Sequence, residues 1–457
     1  MHLERKIAWT AYELALFLAW PVLYLYYLCR SQTDGKYRTN HRARLGLNMP
    51  RPSGNGPGRI WFHALSVGEV LSSIPLVLEI NRQKSDLPIV FSTATETGMM
   101  LARERLAGIV SDFFFMPHDF PWAMHKLVKH VRPGMFVLIE TDFWPNLLRQ
   151  LKRERVFTVL VNGRISPGSY RRYCRLSRLA GTIFDPFDLV FTQTEVDRAR
   201  FESLGDLAGR VIAAGNLKFE SSGRRSSESD IRLLGNEIGL EPGRPVWIAG
   251  STHEGEEEII LRIHGKLKRE FSNLLLMIAP RNVARRTEVE ELCNSLGLSA
   301  GVRSRGDDVS GKAVYLIDTL GELAGMYALS DIAFIGGSLV SSGGHNPLEP
   351  LIQGKPACWG PSFFNFHEIE TALLRAECGR KISSGDELGA VLKSFFGDAG
   401  QRAAMKDAVE TFAGFQQGTA ERIASVLFQA VTKSSDLLQP AQGVGCTRRR
   451  ESAKHRP

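Results

Sequence analysis

The chain opens on a long apolar run and then changes rhythm. From Ile7 to Cys29 the one charged residue is Glu13, and this run of 23 residues is long enough to cross a hydrocarbon core at about 1.5 Å per residue. Trp9, Tyr12, Trp20, Tyr24, Tyr26 and Tyr27 supply interfacial aromatics, and Arg30, Lys36, Arg38, Arg42, Arg44 and Arg51 follow against a single Asp34. The pattern predicts a single-pass N-terminal membrane-anchor helix, residues 1–30, with the remainder on the cytoplasmic side. No small-residue cleavage site follows the run, so a removed signal peptide fits less well.

Beyond it, short apolar runs alternate with helical periodicity. RIWFHAL, LPIVFSTA, DFFFMP, MFVLIE, VFTVLVNG, DLVFTQT and VIAAGN read as buried strands. Helical patterns follow most of them, for example Val70 to Arg82 and Thr97 to Ala107. A polar, turn-rich stretch then intervenes, and a second series begins: PVWIAGS, NLLLMIAP, AVYLIDT, DIAFIGGS and KPACWG. Strand–helix alternation at this spacing predicts parallel sheets covered on both faces. The expected fold class is α/β, with two doubly wound Rossmann-like domains facing a cleft. The boundaries read as 31–220 for the first domain, 221–245 for a linker, 246–432 for the second domain and 433–457 for a disordered basic tail.

Composition adds limits. At 457 residues the chain exceeds one ordinary core. A net charge of +8 favours an anionic partner. The six cysteines are scattered without metal spacing, which argues against zinc or a disulfide framework.

The candidate chemistry falls where strands end, the place where ligands bind in doubly wound sheets. Asp331 to Ile335 reads as a strand, followed by a glycine-rich turn through Gly343 and Gly344 and a helix start at Asn346-Pro347. Glycines admit close approach, and a helix start favours a phosphate. His345, Asn346 and Glu349 share a helical face there, with Glu349 suited to ribose hydroxyls. HALSVGEV places Glu69 at a helix opening, as a general base for a sugar hydroxyl or as an acid that complements the helix dipole. LIETDFWPN ends a strand on Glu140 and Asp142. Arg164, Arg171, Arg172, Arg175 and Arg178 form a basic face matched to phosphates, or a solvated helix surface. Lys218 in GNLKFE could steady a leaving phosphate. GSTHEGEEE reads mostly as helix capping. APRN and DTLGELAGMY set Arg281, Gly321 and Glu322 at further strand ends.

Taken in order, HALSVGEV, ETDFWPN, NGRIS, GNLKF, GSTHEGEE, DTLGEL, GGSLVSSGGHNPLEP and GPSFFNF resemble the 3-deoxy-D-manno-octulosonic acid (Kdo) transferases of lipopolysaccharide synthesis. The resemblance implies a GT-B fold and a metal-independent inverting glycosyltransferase without cofactor. Its donor would be CMP-Kdo and its acceptor lipid IVA, at the inner membrane, with no nucleic acid partner. It implies that Glu69 is the general base and that Glu140 and Lys218 stabilise the transition state. Pro280 and Arg281, Leu320, Gly321 and Glu322, and Asn346, Pro347, Leu348 and Glu349 would bind CMP. Asp142 stands where the family more often has Glu, and Asn282 where it has His. Two alternatives remain at this level. One is a GT-B enzyme with another nucleotide-sugar donor; the other is a non-catalytic, membrane-tethered nucleotide-binding module.

Overall fold

The computed structural model describes residues 2–33, 42–50, 58–140, 142–221, 223 and 225–433. Lys36, Arg38, Arg51 and positions 434–457 of the expected basic tail lie outside these described residues. The chain divides into two compact units, 1–217 with 418–457, and 218–417.

The first unit is built on seven strands: β1 (Arg59–Ala64), β2 (Ile89–Thr93), β3 (Val110–Phe115), β4 (Pro133–Ile139), β5 (Phe157–Gly163), β6 (Leu189–Thr192) and β7 (Val211–Ala213). They lie in the order β3-β2-β1-β4-β5-β6-β7, and every pairing is parallel. A parallel sheet sandwiched by helices buries both faces. On β1 even Arg59 and His63 are buried, beside Trp61 and Phe62. Each fully buried large apolar side chain contributes about 1.5–3 kcal/mol. The order of strands reverses between β1 and β4, which makes the ends of those two strands the switch point where ligands bind in such sheets.

The second unit carries β8 (Val246–Thr252), β9 (Leu275–Pro280), β10 (Ala300–Val302), β11 (Val314–Leu316), β12 (Ile332–Ile335), β13 (Ala357–Trp359) and β14 (Gly379–Lys381). The order is β10-β11-β9-β8-β12-β13-β14, again all parallel. Its switch point lies between β8 and β12. All five strands expected here are present; β10 and β14 are additional. Each has three residues and sits at a sheet edge.

Three expectations change. The second domain, expected over 246–432, does not include the last helix: Thr419–Lys433 belongs to the first unit. Ala420, Ile423, Ala424, Leu427 and Val431 join the core that contains Ile60, Val137 and Val161. The apolar stripe of the last helix thus finds its partner more than two hundred residues upstream. Within the expected linker, helix Glu228–Glu237 opens with a capping box between Ser227 and Asp230, and Leu234 and Ile238 pack into a core of the second unit. The polar stretch is therefore mostly an element of that unit.

The N-terminal anchor is the third. A helix does run from His2 to Thr33, but no helix among the described residues is long and apolar enough to cross a membrane. One side of this helix is committed to the first unit. Leu16, Trp20 and Leu23 pack on its core. The Tyr12 hydroxyl donates to Asp119 at 2.9 Å, and Arg149 donates to Glu13 at 2.9 Å with its guanidinium 5.0 Å from the Trp9 ring. Leu14, Phe17, Leu18, Val22 and Leu25 remain exposed on the helix.

Candidate functional site

Two clusters form, one at each switch point. In the first unit, β1 runs into helix Val67–Gln83, whose N-cap Ser66 accepts the Glu69 N–H. The Glu69 side chain turns back and accepts the Leu65 N–H at 2.5 Å, so it does serve the helix start. Burial is the larger effect, and with the neighbouring charges of Glu140 and Asp142 it carries the Glu69 acid from 4.5 to about 7, against the Leu65 bond. A carboxyl at that value is a competent proton acceptor near neutral pH.

Glu140 directly follows β4 with φ of 63°, a left-handed conformation that a residue with a Cβ adopts at a cost. Its N–H donates to the Val161 carbonyl at 2.9 Å, and its carboxylate lies 3.4 Å from Asn162 Nδ2. Asn162 also has a positive φ of 61°, and its Oδ1 accepts the Leu217 N–H at 3.1 Å. That bond fixes the backbone one residue before Lys218, which lies in the short helix Leu217–Ser221. Asp142 is held by Trp144 Nε1 at 2.5 Å and by His63 Nε2 at 3.3 Å. His63 is anchored on its other nitrogen, Nδ1, by Ser92 Oγ at 2.9 Å. Behind the loop, buried Asp119 accepts from the N–H groups of Asn146 at 2.7 Å and Leu147 at 2.9 Å.

The N-cap of helix Pro145–Arg153 is Trp144, which makes no side-chain cap bond. Asp119 supplies the missing acceptor and, through Tyr12, joins this helix to the N-terminal one. His63, Asp119, Asn162 and Tyr12 were not legible as site residues. Each acts by holding another group, and no motif spacing reports that. Arg171, Arg172 and Arg175 are exposed on helix Pro167–Arg175, which buries nothing, while Arg164 is half-buried just before it.

In the second unit the loop after β12 is pinned by one carboxylate. Glu256 is fully buried and accepts the N–H groups of Gly337 at 2.6 Å, Ser338 at 3.0 Å, Leu339 at 2.8 Å and His253 at 3.0 Å. The Ser and Thr of GSTHEGEEE do not cap helix Glu256–Leu267: Ser251 and Thr252 end β8, and the N-cap is Gly255, which gives no side-chain cap. Glu257 is likewise turned inward, onto Arg285 at 2.9 Å.

The glycines earn their place by packing. A Cβ on Gly344 would stand 2.2 Å from the Phe363 ring, and one on Gly343 would stand 2.5 Å from Asn365 Nδ2; both have positive φ. The space beside them is thus taken by the GPSFFNF segment. The helix expected from Asn346-Pro347 is a short one, Leu348–Ile352, too brief for a strong dipole. What gathers at this end is side-chain chemistry. His345 meets His253 end to end through their Nε2 atoms. Glu349 is raised by burial, opposed by Asn346 and by the Arg281 charge. Arg281, exposed after β9, donates its N–H to the Thr252 carbonyl at 2.9 Å. Buried Pro280 ends β9, while Pro347 and Leu348 are buried under the helix start. Farther along, Leu320 is 80% exposed, Gly321 has φ of 86°, and Glu322 is bound by Arg303 Nη2 at 2.8 Å. That arginine holds the Glu322 carboxyl below its ordinary range.

A family model described as 3-Deoxy-D-manno-octulosonic-acid transferase (kdotransferase) matches residues 39–221. A 3-deoxy-D-manno-octulosonic acid transferase of Haemophilus influenzae is 33% identical over 382 residues, 82% of this chain and 87% of that protein. The crystal structure of the C-terminal CMP-Kdo binding domain of WaaA from Acinetobacter baumannii is 29% identical, covering 41% of this chain and 98% of that one, with a TM-score of 0.38. UDP-GlcNAc 2-epimerase from Neisseria meningitidis, bound to UDP-GlcNAc, is 12% identical over 81% of this chain and all of that one, with a TM-score of 0.53. It shares the fold.

Proposed function

Because the chain belongs to the 3-deoxy-D-manno-octulosonic acid (Kdo) transferase family, we propose that it moves Kdo from CMP-Kdo to lipid IVA with inversion at the anomeric carbon. The observation that carries this reading is Glu69, a half-buried carboxyl at the first switch point whose acid lies at about 7. Its carboxylate takes the proton of an acceptor hydroxyl. The hydroxyl oxygen bonds to the anomeric carbon as the bond from that carbon to the phosphate oxygen breaks, and the electron pair leaves with CMP. Lys218 meets the charge on the departing phosphate, and Glu140 the cationic character of the sugar.

The second unit holds the donor. Pro280, Arg281, the Leu320–Glu322 turn and Asn346 to Glu349 surround CMP, with Glu349 on the ribose hydroxyls and the phosphate beside Arg281 and His345. Arg164, Arg171, Arg172 and Arg175 receive acceptor phosphates. The exposed apolar side of helix His2–Thr33 lies in the interface of the inner membrane rather than crossing it. Acidic-lipid vesicles should then sediment the wild type and release a Phe17→Asp, Leu18→Asp variant.

The test of the reaction is CMP release from CMP-Kdo by purified protein. Release that depends on lipid IVA supports the reading. Release from UDP-sugars alone would favour a GT-B enzyme with another donor, and CMP binding without any product would favour a nucleotide-binding module.

A further inference from the structure

The second cluster contains a ring pair that the transfer step does not use. His253 follows β8 and His345 lies between β12 and helix Leu348–Ile352, so both stand at the second switch point. Their Nε2 atoms are 2.8 Å apart, and the rings meet end to end near one plane, with centroids 5.1 Å apart and planes 18° apart. Two ring nitrogens at that separation need a proton between them. One ring donates Nε2–H; the other accepts on Nε2 and keeps its own hydrogen on Nδ1. The donating ring has one further lone pair, on Nδ1, where an added proton can go. Protonating the accepting Nε2 as well would set two N–H groups head to head. The contact therefore allows a neutral pair or one shared positive charge, but not two.

The rings are held in this position. Gly337 has φ of +69°, and a Cβ there would lie 3.1 Å from His345 Cδ2 and 3.3 Å from His253 Cδ2. Glu256 accepts the N–H of both His253 and Gly337, so one buried carboxylate fixes the backbone under both rings. Among the described residues no group of three His, Cys, Asp or Glu gathers as a metal set.

The charges around the pair are Glu256 from helix Glu256–Leu267, Arg281 from the end of β9, and Glu349 from the short helix, which feels the Arg281 charge. Tyr327, from helix Leu323–Ala328, is buried beside Glu349. Burial, His253 and Arg281 together hold His345 down to about 4. Without ligand the site therefore keeps His345 neutral near pH 7. An anion placed beside Arg281 reverses that balance, because it opposes the Arg281 charge and favours a cation next to itself.

We propose that His253 and His345 act as one proton-sharing unit, neutral in the free site, which takes a proton from solvent when the anionic nucleotide-sugar binds. The proposal rests on the reading of the second unit as the CMP-sugar site. His345 is the residue that meets the donor, and His253 is a positioning residue that acts through it. The empty site thereby avoids a desolvated cation, and the bound site gains one.

The experiment is calorimetric titration of the full chain with CMP, in buffers of different ionisation enthalpy, from about pH 6 to about pH 8. The CMP phosphate itself titrates in this window, so the quantity read is the difference between wild type and the double variant His253→Gln, His345→Gln. Two glutamines can keep the side-chain contact and still hydrogen-bond CMP, but neither holds an additional proton. Wild type should take up more proton on binding than the variant. Its affinity should fall more steeply as pH rises, by up to about tenfold per pH unit relative to the variant, and the two should converge at high pH. Equal proton uptake and parallel pH profiles would overturn the pair while leaving the donor site standing. Absence of CMP binding by the wild type at every pH would overturn the donor-site reading, and the pair with it.

Discussion

Glu69→Gln should abolish transfer and stabilise the fold at the same time. In the folded chain the Glu69 acid lies at about 7 instead of 4.5, through burial first and then the charges of Glu140 and Asp142. That displacement corresponds to roughly 3 kcal/mol of preference for the neutral form. Because the folded value is the raised one, the contribution to stability is complete below the ordinary 4.5 and is lost as pH rises through about 7. Glutamine is neutral throughout, has nearly the same shape, and its Oε1 can still accept the Leu65 N–H. The variant should therefore unfold with up to about 3 kcal/mol more free energy than wild type above pH 7, and with little difference in acid. Its rate should fall on the order of 10²–10⁴-fold. Wild-type kcat/KM should rise with pH to a plateau above about 7. Asp142→Asn should move that limb to lower pH, since Asp142 raises Glu69. Urea unfolding in acid and in mild alkali, read beside CMP release across the same range, measures all of this. A variant no more stable than wild type in alkali would refute the buried-acid argument. Activity within about tenfold of wild type would refute the base.

Three other outcomes follow from the same contacts. Tyr12→Phe removes a hydroxyl that donates to buried Asp119 at 2.9 Å, and should cost about 1–3 kcal/mol in thermal unfolding. Glu256→Ala strands the buried N–H groups of Gly337 and Ser338 and the N–H groups of His253 and Leu339. At about 1–3 kcal/mol for each donor left buried and unpaired, it should destabilise the protein severely and weaken CMP affinity more than the acceptor KM. Gly344→Ala puts a Cβ 2.2 Å from the Phe363 ring at a φ of +76°, and should destabilise by at least about 1–2 kcal/mol, whereas the double variant with Phe363→Leu should recover part of that loss.

The strands of both sheets were readable because buried parallel strands carry near-continuous apolar runs, such as Ile60 to Phe62 on β1 and Ile332 to Ile335 on β12. The missed strands, Ala300–Val302 and Gly379–Lys381, are short edge strands that carry too little apolar length to register. The closing helix falls inside the expected bounds of the second domain because nothing local in its sequence names the partner of its apolar face; Ile423 and Leu427 pack in the first unit. The same limit applies to the N-terminal helix. Its low charge suggested a span, but Tyr12 and Glu13 have partners at Asp119 and Arg149, more than a hundred residues away. Motif chemistry singled out Glu69, Glu140 and Glu349, and all three follow strands at the switch points. The supporting residues escaped because His63, Asn162 and Glu256 work through hydrogen bonds to groups distant in sequence. Gly343 and Gly344 were legible as glycines that need special backbone, yet the neighbour they make room for is Phe363 and its loop.

Attachment of Kdo to a lipid acceptor with Glu69 as base is read out by mass spectrometry of lipid IVA incubated with CMP-Kdo and purified protein. Wild type should give a product heavier by whole Kdo units, and Glu69→Gln should leave lipid IVA essentially unchanged under the same conditions. Unmodified lipid IVA with an intact, CMP-binding wild-type protein would contradict it, as would equal product from both.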